Sequence, residues 1–344
     1  MAGATCRQPA TSGGRRRSDL MPTFSTSLVL SGGGALGSYQ AGLYEALHDH
    51  ADIAVGWVAG SSVGAINGAI IAGSSPVRRV QALREYWLRG SLWQGEPLLR
   101  TGSVRHAFNW LSAAQARLLG SPRHLRLGSP SGLYDLAPTV DFLRENIDFG
   151  LLNGGETRFT VATVDLETGD PVIFDTGTGQ RIELDHILAS AGFIPEFAPV
   201  EIGGQLLGDG GLALNAPVEP MLDALEQSGG TILIADLFAR DGERPRGLEA
   251  ALERKNALMF GNQTWCRLDL YRRLWQQNGV AGPIILYLSY RPTRDEAGAE
   301  ASFDFSRASA EDRWREGSLD ADAAIRRLPA VHASGEVLTA IRRV

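Results

Sequence analysis

Cysteine is nearly missing from this chain: Cys6 and Cys266 are the two in 344 residues. A single long-range bridge is a weak frame for so long a chain, so reduced thiols in a cytoplasmic compartment are expected. No Cys/His cluster has zinc spacing, and neither a metal site nor a cofactor is read from the sequence. Arg15, Arg16 and Arg17 near the start are followed by no apolar stretch, which excludes a secretory signal. Residues 1–24 read as a disordered leader, with Met21 as a second candidate start. Glycine shows no G-X-Y period, which excludes collagen, and no internal repeat or low-complexity tract follows the leader. A one-sided charge is lacking too. The 33 Lys and Arg against 39 Asp and Glu leave a net charge of −6, so the chain as a whole is no polyanion binder and nucleic acid is not an expected partner. Nothing in it specifies an oligomeric state.

One run lacks charge altogether. Ile53 to Val77 is long enough to span a bilayer. Gly56, Gly60, Gly64 and Gly68 even fall at four-residue steps, as on a helix-dimer seam. Ser61, Ser62, Asn67, Ser74 and Ser75 argue against a span. A strand, a sharp turn and a buried helix explain the same letters better.

What is present is ample. The length suits about two domains, or one large α/β domain with additions. Hydrophobic residues make up 44% and charged residues 21%, as in ordinary globular chains. Glycine is abundant, 41 residues, clustered beside apolar runs where tight turns need it. Ser27–Leu30 reads as a short buried strand, followed by Gly32, Gly33 and Gly34 and a helix over Ala35–His48. Val55–Ala59 reads as a second strand, leading into a Gly60–Gly64 turn and a helix from Ala65. This βαβα pattern predicts a parallel sheet covered on both faces.

Further on, Pro76–Leu92 looks helical. Residues 97–134 hold no acidic side chain but carry Arg100, Arg105, Arg117, Arg123, Arg126, His106 and His124. They read as a surface insertion with a solvated basic face; the sharper reading is a segment over 100–126 that meets anionic lipid headgroups at the inner face of a membrane. Strand hairpins are predicted at Thr157–Thr176 and Val200–Leu207, with further strands at Thr231–Asp236 and Pro283–Ser289. Leu184–Ala191, Leu248–Gln277 and Ala308–Ile341 read as helical. Residues 25–240 then form a catalytic domain containing the basic insertion, and 241–344 a mainly helical extension packed on it.

Three motifs carry chemistry. Gly60-Ser61-Ser62-Val63-Gly64 is a G-x-S-x-G pentapeptide between a strand and a helix. Its glycines clear space for a tight turn that holds Ser62 at the apex of a helix N-terminus. A plain turn with Ser62 as helix cap is the bland alternative. Gly32-Gly33-Gly34-Ala35-Leu36-Gly37 also lies between a strand and a helix, with amides free for an anion. No Lys-Ser/Thr follows Gly37, which excludes a P-loop, and the second strand ends in a serine turn where a dinucleotide site wants an acidic residue. An oxyanion hole for an intermediate at Ser62 is the option that makes the two motifs serve each other. A base is then required. The order Ser62, Asp209, His332 suits a triad formally, but His332 sits in a charged, peripheral helix. Gly208-Asp209-Gly210-Gly211 offers a carboxylate between glycines that allow close approach, and a turn is its bland alternative.

Together, G-G-G-x-x-G, G-x-S-x-G and D-G-G resemble the patatin-like phospholipase family. Leu188–Pro195 is similar to the family's A-S-x-x-x-x-P segment. Phe303-Asp304-Phe305-Ser306 and Trp314-Arg315-Glu316-Gly317 are similar to the C-terminal extension of a bacterial branch. The resemblance implies a three-layer α/β/α fold with a mostly parallel central sheet. It implies a Ser-Asp dyad: Ser62 as nucleophile, Asp209 as general base, the Gly32, Gly33 and Gly34 amides as oxyanion hole, and Gly37, Gly60, Gly64, Gly210 and Gly211 in support. It further implies hydrolysis of acyl lipid esters through an acyl-enzyme, without a cofactor. Leu36 departs from the pattern, since many members carry a basic residue there. The helix after Ser62, with Phe193-Ile194-Pro195 and Phe197, is expected to line an acyl pocket. Two other classes stay open: a nucleotide-binding oxidoreductase using Gly32–Gly37, and a non-catalytic membrane-associated regulatory module.

Overall fold

The computed structural model describes residues 24–89, 91–92, 102–126, 132–292 and 296–341. The expected leader up to residue 23, with Cys6 and Met21, and Arg100 of the basic insertion lie outside the described residues.

The chain opens with β1 (Phe24–Leu30), α1 (Ser38–Asp49), β2 (Ile53–Ser61) and α2 (Val63–Ala72), the βαβα order expected. The uncharged run at 53–77 is therefore a strand and a helix, and α2 is buried along its whole length. A short α3 (Arg79–Arg84) continues into a π-turn, followed by α4 (Ser103–Leu119) and a small hairpin of β3 (Gly120–Ser121) and β4 (His124–Leu125). Next come α5 (Ala137–Asn146), α6 (Phe149–Gly154), β5 (Arg158–Asp165), β6 (Pro171–Asp175), α7 (Leu184–Ser190), β7 (Val200–Ile202), β8 (Gln205–Asp209) and α8 (Glu219–Leu225). The chain ends with β9 (Thr231–Asp236), α9 (Leu248–Asn278), β10 (Ile284–Ser289), α10 (Arg307–Ser334) and β11 (Leu338–Ile341).

Nine strands form one sheet in the order β11-β10-β9-β1-β2-β5-β8-β7, with β6 also on β5. From β11 to β5 every pairing is parallel; β6, β7 and β8 pair antiparallel. Side chains alternate along the central strands and so divide between two cores. Leu28, Leu30, Val58, Leu233 and Leu286 face one way, toward α1, α2 and α10. Val29, Trp57, Ile232, Ile234 and Ile285 face the other, toward α8 and α9. The result is a mixed α/β fold with helices on both faces of the sheet. No described helix is long and apolar enough to cross a membrane.

Two expectations need correction. The C-terminal helix stops at Ser334, and Leu338–Ile341 instead pairs parallel with β10. A short apolar run suits helix or strand alone, and the open edge of β10 decides it. In the described part of the basic segment, two of the cations expected on its solvated face are buried instead. Arg105 and Arg123 are buried with His124; Arg105 pairs with Asp312 at 3.1 Å, and Arg117 pairs with Glu300. Acidic partners from the distant C-terminal region engage Arg105 and Arg117, while among the described residues Arg123 is buried without one. On α4 it is Val104, Trp110, Leu111, Leu118 and Leu119 that are exposed.

The crossing of α1 and α10 depends on two glycines. A Cβ at Gly42 would lie 1.9 Å from Trp314 O, and one at Gly317 would lie 1.9 Å from Tyr39 O. Each helix thus docks backbone to backbone against the other's glycine. Gly317→Ala is expected to lower unfolding stability by about 3 kcal/mol or more. The denaturant midpoint measures this, and an unchanged midpoint would contradict the close crossing.

Candidate active site

Leu30 of β1 stands opposite Gly60 of β2, so the glycine loop and the serine turn leave the sheet side by side at the C-terminal strand ends. Ser61 stands opposite Ala162 of β5, and antiparallel β8 sets Asp209 opposite Thr163. Ser62 and Asp209 therefore flank β5 at one level, with backbones about 10 Å apart across two strand spacings.

The turn itself is strained. Ser62 has φ 54° and ψ −126° and is the one non-glycine residue with positive φ among the described residues. Such a conformation persists only where the surroundings impose it. Two glycines do so here. A Cβ at Gly60 would lie 2.3 Å from Gly64 O, and one at Gly64 would lie 2.1 Å from Leu30 O. No bulkier residue fits at either position, so the backbone folds back on β1 and lifts Ser62 out. Ser62 makes no side-chain cap to α2, contrary to the bland reading of the motif. Its N–H donates to Ser190 Oγ at 3.0 Å, and Ser190 Oγ donates to Ala162 O at 2.6 Å.

Asp209 ends β8 and is 1% exposed. Its N–H donates to Gly192 O at 3.1 Å, and its Oδ1 accepts the Gly211 N–H at 2.7 Å. Oδ2 is buried and has no partner of full hydrogen-bond geometry. Burial pushes the carboxyl's pKa up to about 7, while the nearby Ser62 hydroxyl and the Gly211 N–H pull it back. The Ser62 hydroxyl is thus near the Asp209 carboxyl without a formed hydrogen bond to its Oδ2, and catalytic hydrogen bonds are often loose before substrate binds.

The glycine loop needs one revision. The Gly32 N–H donates to Asn215 O at 2.9 Å, so it is engaged inside the fold and not free for an oxyanion. No backbone acceptor takes the Gly33 or Gly34 N–H among the described residues. Gly32 serves by its lack of a side chain: a Cβ there would lie 3.0 Å from Ser62 Cβ and 2.8 Å from Asn215 Oδ1. Gly37 packs against Val63 and Trp87, Gly210 against β5 and Ser61, and Gly211 between Asp209 and Asn215. Leu36 is buried in the apolar core, so no cation reaches the site from this loop.

Ser62, Asp209, Gly32, Gly33 and Gly34 all line one mainly apolar cavity of about 460 Å³. Val63 and Ile66 of α2, with Phe193 and Phe197, line it as expected; Ile194 and Pro195 do not. The size suits one small ligand or part of a larger one.

Four contributors escaped the sequence reading. Ser190 and Gly192, in the Leu188–Pro195 segment, hold Ser62 and Asp209 respectively. Asn215 touches Gly32 of the glycine loop and Gly211 of the Asp209 turn. Arg313, wholly buried, donates to Ala35 O at 3.0 Å, Asp304 O at 2.9 Å and Ala301 O at 3.1 Å, and pairs with Glu296. It thereby ties the glycine loop to the C-terminal region. His332 is remote in structure as well: its Nε2 bonds Thr231 Oγ1 at 2.9 Å, at the opposite end of β9. Cys266 is exposed and unbridged. Among the described residues no cluster of three His, Cys, Asp or Glu side chains could hold a metal ion.

Comparison with known proteins gives a family. The sequence profile described as "Patatin-like phospholipase" matches residues 28–222, more than half of the chain. No curated protein matches. Among solved structures, VipD from Legionella pneumophila is 13% identical with a TM-score of 0.35, over 92% of this chain and 78% of its own. Full-length ExoU, in complex with SpcU from the type III secretion system of Pseudomonas aeruginosa, is 15% identical with a TM-score of 0.34. This chain is covered to 91% in that match and spans 60% of ExoU. Likenesses at these scores carry no argument about the site.

The Asp209 environment has a stability consequence. An acid whose pKa is raised on folding contributes most below its unfolded value near 4, and the contribution is lost as pH rises through about 7. Asp209→Asn is therefore expected to raise the melting temperature at pH 8 more than at pH 5. A thermal scan at both values checks this, and an equal or reversed effect would contradict the burial argument.

Proposed function

The chain belongs to the patatin-like phospholipase family, and from that premise we propose that it hydrolyses carboxylic esters of acyl lipids through Ser62 and Asp209. One observation carries the reading. A strained serine beside a buried carboxyl with a free Oδ2 and a pKa near 7 is a nucleophile matched to its base.

In this mechanism the Asp209 carboxylate takes the Ser62 hydroxyl proton as Oγ attacks the ester carbonyl carbon. The tetrahedral oxygen accepts hydrogen bonds from the Gly33 and Gly34 N–H groups, the role assigned above to the loop less Gly32. Collapse breaks the C–O bond, and the departing alkoxide takes the proton held on Asp209. Water then attacks the acyl-serine, giving a proton to Asp209, and the fatty acid leaves as that proton returns to Ser62 Oγ. The apolar wall of Val63, Ile66, Phe193 and Phe197 suits the acyl chain. Residues 25–240 supply these groups, and 241–344 act as the extension that braces them. No observation favours nucleotide binding, since Gly32 is turned inward and the loop borders Ser62.

Hydrolysis of p-nitrophenyl butyrate and of phospholipid vesicles tests the reading. Ser62→Ala is expected to lose at least about 10³-fold in kcat/KM, and Asp209→Asn about 10²- to 10⁴-fold. Because the base acts ionised, kcat/KM should rise with pH through about 7 and level off above it. His332→Ala should stay within about 3-fold of wild type, whereas a loss near 10³-fold would restore the histidine triad. An asparagine variant of full activity would remove Asp209 from the mechanism.

A further inference from the structure

Arg123 is 6% exposed and lines the cavity that holds Ser62. Among the described residues its side chain makes no ion pair and no hydrogen bond, and its buried Nη2 has no partner at all. Its Cζ lies 3.9 Å over the Tyr86 ring and 5.5 Å from that of Phe142. These rings accommodate the cation's face but leave its N–H edge without an acceptor. Burial presses the guanidinium's pKa down, as expected of a charge without a counter-ion.

The position is nonetheless built. Thr139 Oγ1 donates to Arg123 O at 2.9 Å, the Tyr86 hydroxyl lies 3.2 Å from Thr139 Oγ1, and the Arg123 N–H donates to Ser121 Oγ at 3.1 Å. The other charges on the wall do not neutralise it. Arg117 and Glu300 pair with each other, Lys255 is exposed on α9, and among the described residues neither Glu196, whose buried Oε2 is itself unpartnered, nor Asp209 forms an ion pair with Arg123. Leaving a buried guanidinium unpaired is unfavourable, and a ligand anion would relieve that cost.

We propose that Arg123 is the anion-binding residue of this cavity and holds a phosphate or carboxylate group borne by the acyl ester that Ser62 cleaves. The inference rests on the hydrolase reading for its substrate, but anion binding is measurable without turnover.

Calorimetric titration of the full chain with octyl phosphate, octanol and inorganic phosphate tests it, alongside Arg123→Met and Arg123→Lys. Octyl phosphate should bind wild type at least about 10-fold more tightly than octanol. Arg123→Met should weaken octyl phosphate roughly 10- to 100-fold with octanol unchanged, and Arg123→Lys should keep part of the advantage. Equal wild-type affinities for octyl phosphate and octanol would overturn the proposal, even if neither variant folds. Inorganic phosphate binding as tightly as octyl phosphate would overturn the assignment to substrate in favour of a free anion. In kinetics, Arg123→Met should lower kcat/KM on a 1-acylglycerol 3-phosphate by a larger factor than on p-nitrophenyl butyrate. Equal loss on both would make the residue merely structural. Wild type inert toward both esters would contradict the hydrolase reading, and the titrations would still decide the role of Arg123.

Discussion

The site depends on a backbone that folds back so sharply after β2 that only glycine fits on either side of Ser62. Gly64 lies against the Leu30 carbonyl, and Gly60 against that of Gly64. These contacts hold Ser62 at a positive φ that its own side chain disfavours. The strain is repaid by packing: α2 is buried throughout and β1 and β2 are central strands, so the turn has no room to relax. A serine on a relaxed turn would point its hydroxyl back to cap α2. This one points toward the cavity.

The second constraint is the burial of Asp209. A carboxyl shut away from water is a better base near neutral pH but a poorer contributor to stability, and the fold accepts that exchange locally. The Leu188–Pro195 segment holds both partners at once, Ser62 through Ser190 Oγ and Asp209 through Gly192 O. A shift of α7 would therefore move Ser62 and the Asp209 carboxyl together. The C-terminal region plays the same part for the glycine loop. Arg313 reaches Ala35 O, Ser302 O closes over Gly34, and α10 crosses α1 backbone to backbone. The C-terminal region is thus continuous with the site.

Much of this was legible in the sequence because it is local. The strand–glycine–helix grammar at 27–37 and 55–65 depends on neighbours along the chain, and both units fold as read. Asp209 was harder: alone it reads as a turn, and only its company with the two glycine motifs singles it out. What stayed hidden comes from contacts between distant segments. Ser190 meets Ser62 across 128 positions, and Arg313 meets Ala35 across 278. The Gly32 amide looked free because nothing nearby in sequence announces the Asn215 carbonyl that takes it. The acid-poor insertion looked like a solvated basic face for the same reason, since Asp312 and Glu300 lie far downstream.

The central claim is that Ser62 is an activated nucleophile whose proton Asp209 removes. Mass spectrometry after treatment with a fluorophosphonate probe measures this most directly, run on wild type and on Asp209→Asn across pH 5 to 9. The account predicts a single adduct, on Ser62, formed faster as pH rises through about 7 and nearly lost in the asparagine variant. An adduct on another residue, or labelling of Ser62 that ignores both pH and Asp209, would contradict it.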